Sequence, residues 1–454
     1  MPQHTELDAP ALSQHGLKLV ELERVQRPAP GQDPQLSAVP AALQFLRAVE
    51  KGFYETVPEG AAAAQVLGFQ ADDAQRHLGI YAAEADPDER EPEATFQDWL
   101  ATLTVSPGRE VPAWLISNVT VSPSIRRRGA LRVMMQNSLD AAVAAGAPVA
   151  ALTASEATIY PRFGFGAATW GRKVEVQVKG GAEFRHDAGS GRVTRQDPRQ
   201  LGDLVEKIQR EVQLNTPGSP RRPHGYRAHW EDRVQSENDG KGEGWFAAVH
   251  TNAHGERDGV ALYKMLGWET TPATVRVRSL FAQTREAERA LWHFLAHLDL
   301  IEVIRDDDHP MDRRLESALV DRRRVKTVRV YEDLYVRILD VAACFEAREY
   351  ARSVAGEITL EVSDPQGYVA GTYRLRVGQG RAEVAAFDSN EAAGVGPAPD
   401  LQLSVEALSA LWLGGESVAT LVAAGTVTER RAGASRELDA MLAPSREPHL
   451  LTGF

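Results

Sequence analysis

The sequence has 454 residues, 51 basic and 63 acidic, for a formal net charge of −12. That length suggests about three domains, and 43% hydrophobic with 25% charged residues fits a soluble globular chain rather than a disordered one. The acidic balance excludes general nucleic-acid binding, which needs Lys and Arg to neutralise phosphates; it suits either a cationic partner or the mild acidity common among cytoplasmic proteins.

Cys344 is the single cysteine, so the chain has no intramolecular disulfide and no cysteine-based zinc cluster. Residues 1–16 carry Glu6 and Asp8 and lack a basic region before an apolar core, unlike a secretion signal. The least polar run, 141–154, holds Gly146 and Pro148 and is shorter than the ~20 residues of a membrane helix. A cytoplasmic protein without membrane insertion is the expectation.

In chain order, residues 16–23 alternate as a strand and 41–54 have helical spacing. Residues 77–83, 98–105 and 113–121 are predicted strands, rich in β-branched and aromatic side chains. Between the first two, residues 84–94 form an acidic loop with six carboxylates, either a solubilising surface or a recruiting patch for a polycationic amine. Gly129 opens a helix, 149–153 is a short buried strand, a short helix is expected from Ser155, and 167–178 returns as a strand. A Gly-rich segment, 180–191, is a boundary. Beyond it a helix at 201–212, strands at 244–250, 259–265 and 274–282, a helix at 284–298 and a strand at 301–304 repeat the earlier order and hint at duplication. The last region puts strands at 334–339, 357–362, 371–377 and 381–386 before helices at 405–413, 417–424 and 436–442, an α+β pattern.

Chemistry concentrates in residues 117–170. A strand ending in Val119, Thr120 and Val121 leads to Arg126-Arg127-Arg128-Gly129 at a helix start. Free backbone N–H groups and the positive helix end converge there. Glycine permits close approach and arginines add bidentate donors, which together make a pyrophosphate site. His293 and His297, four apart on a helix, read as structural rather than metal-binding, and Asp306-Asp307-Asp308 as a solvated turn rather than a cation site. Cys344 reads as a small hydrophobe.

The Arg-x-x-Gly-x turn resembles the acetyl-CoA loop of the GNAT N-acetyltransferases, with Leu131 where that loop usually ends in Gly or Ala. The string from Ala154 to Gly166 (ASEATIYPRFGFG) more closely resembles the Eis (enhanced intracellular survival) acetyltransferases of actinobacteria, as do residues 309–312, 336–341 and 411–415. The resemblance implies an α+β (mixed α/β) chain: a GNAT domain at 1–179, a degenerate second GNAT domain at 180–332, and a domain like sterol carrier protein at 333–454. It implies acetyl-CoA as cosubstrate, a primary-amine acceptor such as an aminoglycoside, broad regiospecificity and a hexamer. By the same resemblance, Val119, Thr120 and Val121 pair with the pantetheine arm, and Arg127, Arg128, Gly129, Ala130, Leu131 and Arg132 cradle the pyrophosphate. Ser155 and Glu156 line the acyl end. Tyr160 is the general acid for the leaving thiolate, and the α-carboxylate of Phe454 the base. The second region has no Arg-Arg-x-Gly equivalent, so it is expected to bind no acetyl-CoA. Two other readings stay open: acetylation of protein lysines or polyamines, and a lipid-binding module with a vestigial GNAT region.

Overall fold

The computed structural model describes residues 4–25, 40–231, 244–267, 269–387 and 397–454. Seven strands come first: β1 (Thr5–Leu7), β2 (Leu17–Glu21), β3 (Arg76–Ala82), β4 (Ala94–Ser106), β5 (Arg109–Val121), β6 (Val149–Thr153) and β7 (Gly166–Ala167). The next seven are β8 (Trp170–Gln177), β9 (Arg192–Gln196), β10 (Phe246–Thr251), β11 (Arg257–Met265), β12 (Thr274–Ala282), β13 (Val303–Pro310) and β14 (Val325–Glu332). They are followed by β15 (Leu334–Ile338), then β16 (Gly356–Ser363), β17 (Gly371–Gly378), β18 (Arg381–Phe387), β19 (Leu401–Ser404) and β20 (Val427–Glu429).

Three sheets result, ordered β1-β2-β3-β4-β5-β6-β15-β7, β14-β8-β13-β12-β11-β10-β9, and β18-β17-β16-β19-β20. The first two are interlaced with the chain order. β8 joins the second sheet, antiparallel to β13 and β14, whereas β15 enters the first sheet between β6 and β7. The expected strand at 167–178 is thus broken at Ala168–Thr169 and divided between sheets.

The period-2 alternation of side chains makes the first sheet two-faced. Ala113 and Leu115 of β5, Val149 and Ala151 of β6, and Leu334, Val336 and Ile338 of β15 share one core with Leu408, Leu411 and Trp412 of the third unit. Trp114, Ile116, Ala150, Leu152 and Tyr335 point the other way, against Met134, Met135 and Leu139 of the helix Ala130–Ala144. The third unit therefore covers one face and the cofactor-side helix the other.

Two local expectations fail. Residues 155–159 form turns, and only Pro161–Phe163 is helical, as one 3₁₀ turn; Pro161 and Gly164 leave no length for an α-helix. Asp306, Asp307 and Asp308 lie on β13 rather than in a turn, because Arg276 and Lys173 engage Asp307, and His309 engages Asp306. The rings of His293 and His297 stack at 4.1 Å, and among the described residues no cluster of three or more His, Cys, Asp or Glu has metal-holding geometry. Cys344 is buried in the helix Val341–Glu346. No described helix is long and apolar enough to cross a membrane.

Candidate functional site

The site begins where β5 and β6 part. Their parallel pairing runs only from Ala113 with Val149 to Ile116 with Leu152. β5 continues to Val121, so the backbone of residues 117–121 has no strand partner on that side among the described residues. The parting coincides with a bulge: β5 carries one extra residue opposite β4 between Ser117 and Thr120, and Asn118 there has φ 51°. Asn tolerates this left-handed conformation better than most residues. Its carbonyl accepts from Thr95 Oγ1 at 2.8 Å, and its amide donates to Gln97. Asn118 carries no signal of a site in the sequence beyond that tolerance. An edge of unpaired N–H and C=O groups is what an extended ligand chain needs to bind as an added strand.

At the end of β5 the chain turns through Pro123–Ile125 into the helix Ala130–Ala144. Arg127 (φ 65°) and Gly129 (φ 84°) both take the left-handed conformation. The first bond of the helix runs from Val133 N–H to the Gly129 carbonyl, which leaves the preceding N–H groups directed outward. A side chain at Gly129 would meet no atom within 4 Å, so the space in front of the loop is open. Arg126, Arg127, Arg128 and Arg132 are exposed and make no ion pair or hydrogen bond within the described residues. Four exposed cations cluster around N–H groups at a helix start, an arrangement suited to a polyanion such as a pyrophosphate.

Every residue expected to bind or react lines one cleft of about 2710 Å³: Val119 to Val121, Arg127 to Arg132, Ser155, Glu156, Tyr160 and Phe454. Tyr160 is 8% exposed, packs edge-on to Phe165 at 6.2 Å, and has its hydroxyl pushed up to about 12 by burial and by Glu156. It is both a packing aromatic and part of the cleft wall. Ser155 and Glu156 are exposed on the same wall. Phe454 sits edge-on to Trp99 at 5.9 Å, and its carbonyl oxygen accepts from Thr153 Oγ1 at 3.5 Å, at the end of β6. The tail leading to it is anchored: His449 N–H donates to Pro217 O at 2.8 Å, Ser219 Oγ donates to His449 O at 2.6 Å, and Leu450 and Thr452 are buried. Thr153 and Trp99, which hold the tail, carry no mark in the sequence.

The opposite wall comes from the second sheet. Arg276, Arg278, Asp307 and Asp308 line the cleft, with Arg276 bound to Asp307 at 2.9 Å and Tyr331 donating to Asp308 at 2.9 Å. Tyr226 also faces in, its hydroxyl close to Gly453. Four of the six carboxylates of the acidic loop are committed locally, Asp86 accepting from the Asp88 N–H at 3.0 Å. Glu91 pairs with Lys51 at 2.6 Å, Asp88 accepts from the Ala41 N–H at 3.2 Å, and Glu93 accepts from Ser124 at 2.8 Å.

Models of the acetyltransferase (GNAT) domain match residues 94–168 and 218–338, and a model of the sterol carrier protein domain matches 341–451. An uncharacterized N-acetyltransferase of Streptomyces griseus is 34% identical over 420 residues, covering 90% of this chain and 96% of that one. N-acetyltransferase Eis of Mycobacterium tuberculosis is 35% identical over 352 residues, covering 75% of this chain and 80% of the relative. The crystal structure of Eis1 from Mycobacterium abscessus superposes with a TM-score of 0.74 at 26% identity, covering 90% of this chain and 96% of that one. The chain belongs to the Eis family of GNAT N-acetyltransferases. It is therefore an acetyltransferase with two GNAT domains and a C-terminal domain like sterol carrier protein, and acetyl-CoA is the cosubstrate consistent with that family.

The corresponding turn in the second GNAT domain of this Eis-family chain is built differently. Only Gln283 and Thr284 separate β12 from the helix Arg285–Ala296. Thr284 caps that helix itself, its Oγ1 accepting from Ala287 N–H at 3.1 Å and donating to Asp258 at 3.0 Å. Glu286 and Glu288 occupy the first turn. A capped helix start flanked by carboxylates repels anions. In the first domain, Gly129→Ala should weaken acetyl-CoA binding several-fold, since a left-handed alanine costs about 1–2 kcal/mol; titration calorimetry reads this. Unchanged affinity would mean that the loop geometry is not what holds the ligand.

Proposed function

We propose that the chain transfers the acetyl group of acetyl-CoA directly to a primary amine of a small polycationic molecule, an aminoglycoside being the leading class, with both substrates bound together. The convergence of a cationic anion-binding loop, an unpaired strand edge, Tyr160 and Phe454 on one cleft carries this reading. In it, the backbone of Val119 to Val121 holds the pantetheine arm, and Arg127 to Arg132 hold the pyrophosphate. Ser155 and Glu156 border the acyl end. The amine nitrogen attacks the thioester carbonyl carbon, and the C–S bond breaks. Unpaired strand N–H groups stabilise the oxyanion, and the Tyr160 hydroxyl supplies the proton for the departing thiolate.

A cationic amine must lose a proton before it attacks. With Phe454 as the last residue, its α-carboxylate, of ordinary pKa about 3.5, is a weak base. We assign it chiefly an electrostatic role: it holds the ammonium form in place while solvent takes the proton. Asp308 and the exposed Glu156 on the cleft walls fit a cationic substrate.

The hexamer implied by the resemblance and a cytoplasmic location belong to the same proposal. Acetylation of polyamines or protein lysines uses the same chemistry. The lipid-binding reading has less support, because the interior of the third unit is filled by Trp412, Leu411, Phe345 and Tyr350.

The test is coenzyme A release against aminoglycosides, polyamines and lysine peptides, with mass spectrometry of the products. Mass gains of one acetyl group per modified amine on the aminoglycosides are expected. No release with any amine would overturn the enzymatic assignment of the cleft, and release with lysine peptides alone would overturn the substrate class.

A further inference from the structure

The string at 336–341 has no part in the reaction above, yet it contains Arg337, whose side chain is fully buried on β15. Its three guanidinium nitrogens are committed: Nε donates to the Phe163 carbonyl at 2.9 Å, Nη1 to the Ile338 carbonyl at 2.5 Å, and Nη2 to Asp364 Oδ2 at 2.7 Å. Asp364, equally buried, follows β16 in the third unit and also accepts from the N–H groups of Gln366 and Val369. A buried ion pair is seldom the most stable filling for a core. What it supplies here is direction, because the planar guanidinium fixes each acceptor.

The acceptor at Phe163 closes the turn that carries Tyr160. Phe163 N–H donates to the Tyr160 carbonyl at 2.9 Å. Gly164, at φ 81°, lies so close to Arg337 that a Cβ there would overlap its Nε. The same turn of the third unit also reaches the cofactor-side helix. The Tyr368 hydroxyl donates to Asp140 at 2.6 Å and accepts from Gln136 at 2.5 Å, and Gln366 donates to Gln136 at 3.3 Å. Tyr368 also lies over the Arg337 guanidinium at 5.5 Å.

We propose that the turn 364–368 of the sterol-carrier-like unit is a positioning clamp for the general acid. It ties the Tyr160 turn, through Arg337, to the helix that begins at the cofactor loop. This rests on the reading of Tyr160 given above. The third unit thereby takes part in turnover at a second point, apart from the tail that ends in Phe454.

The test is a double-mutant cycle. Asp364→Glu keeps the charge and lengthens the arm. It should lower kcat about tenfold, the scale of a sub-ångström misplacement, with KM for acetyl-CoA within about twofold. In a Tyr160→Phe background the same change should cost nothing further, since the group it aims is gone. An equal loss in both backgrounds, or an unchanged kcat in the single variant, would overturn the clamp. Tyr160→Phe without effect would instead overturn the general-acid reading. Should Asp364→Glu not fold, Tyr368→Phe combined with Gln366→Ala keeps the ring over Arg337 but removes the bonds from the turn to Gln136 and Asp140; a kcat loss confined to the Tyr160 background supports the clamp, and an unchanged kcat overturns it.

Discussion

Tyr160→Phe should lower kcat about 10²-fold while leaving acetyl-CoA affinity within a few-fold, read by steady-state kinetics and titration calorimetry. General acids typically contribute about 10²–10⁴, and the lower end is expected for a physical reason. Burial and the neighbouring Glu156 push the Tyr160 hydroxyl up to about 12. A raised pKa means that the neutral form persists through all ordinary assay conditions, so the donor is always loaded. The raised value also makes the hydroxyl a weaker acid toward the departing thiolate, which sets the lower end of that range. In the proposed step the hydroxyl first donates a hydrogen bond that strengthens as charge develops on sulfur, and gives up its proton as the thiolate departs. Two outcomes follow. The wild-type rate should show no alkaline fall from Tyr160 below about pH 11, and any limb near neutrality, which would belong to the amine, should persist in the variant. A kcat within twofold of wild type would leave Tyr160 as a packing aromatic only.

A chain extended by a few residues beyond Phe454 should lose at least about 10²-fold in kcat/KM for a cationic amine, yet bind acetyl-CoA normally. With Phe454 as the last residue, the extension would turn the α-carboxylate, proposed to hold the cationic amine, into an uncharged amide. Removing one partner of a partly desolvated charge pair costs about 2–5 kcal/mol, enough for that loss. Chain ends usually fray. This one is held by Trp99, Thr153, Pro217 and Ser219 and points into the cleft. Full activity in a homogeneous extended protein would remove the carboxylate from the mechanism. Loss of acetyl-CoA binding as well would mean that the tail shapes the cofactor site rather than the amine site.

The reach of the sequence reading followed the range of the interactions involved. Gly129 and the arginines beside it act through local backbone geometry and charge, so their pattern is visible in a short window. The strands of the second sheet were legible for the same reason: Val260, Ala261 and Leu262 of β11 are buried, and the run is bounded by turn residues. Ser155 was assigned to a helix because its neighbours have adequate helix propensity; Pro161 and Gly164 overrode that tendency. Asp306 to Asp308 looked like a solvated turn because their partners, Arg276, Lys173, His309 and Tyr331, come from elsewhere in the chain or gain meaning only from the fold. Arg337 carries no local mark of its role, because its burial against Asp364 depends on strand pairing across more than a hundred residues, which no local pattern encodes.

The placement of β15 has a consequence in time. The first sheet closes only when Leu334–Ile338 takes its place between β6 and β7. During synthesis at about 5–20 residues per second, β6 must wait on the order of tens of seconds for that partner. Through that interval the row of hydrogen-bonding groups on β6 lacks the partner that Leu334 to Ile338 later supplies. The catalytic sheet of this enzyme is thus among the last parts of the chain to become whole, and a nascent chain halted before residue 334 holds the cofactor loop without a finished sheet to display it.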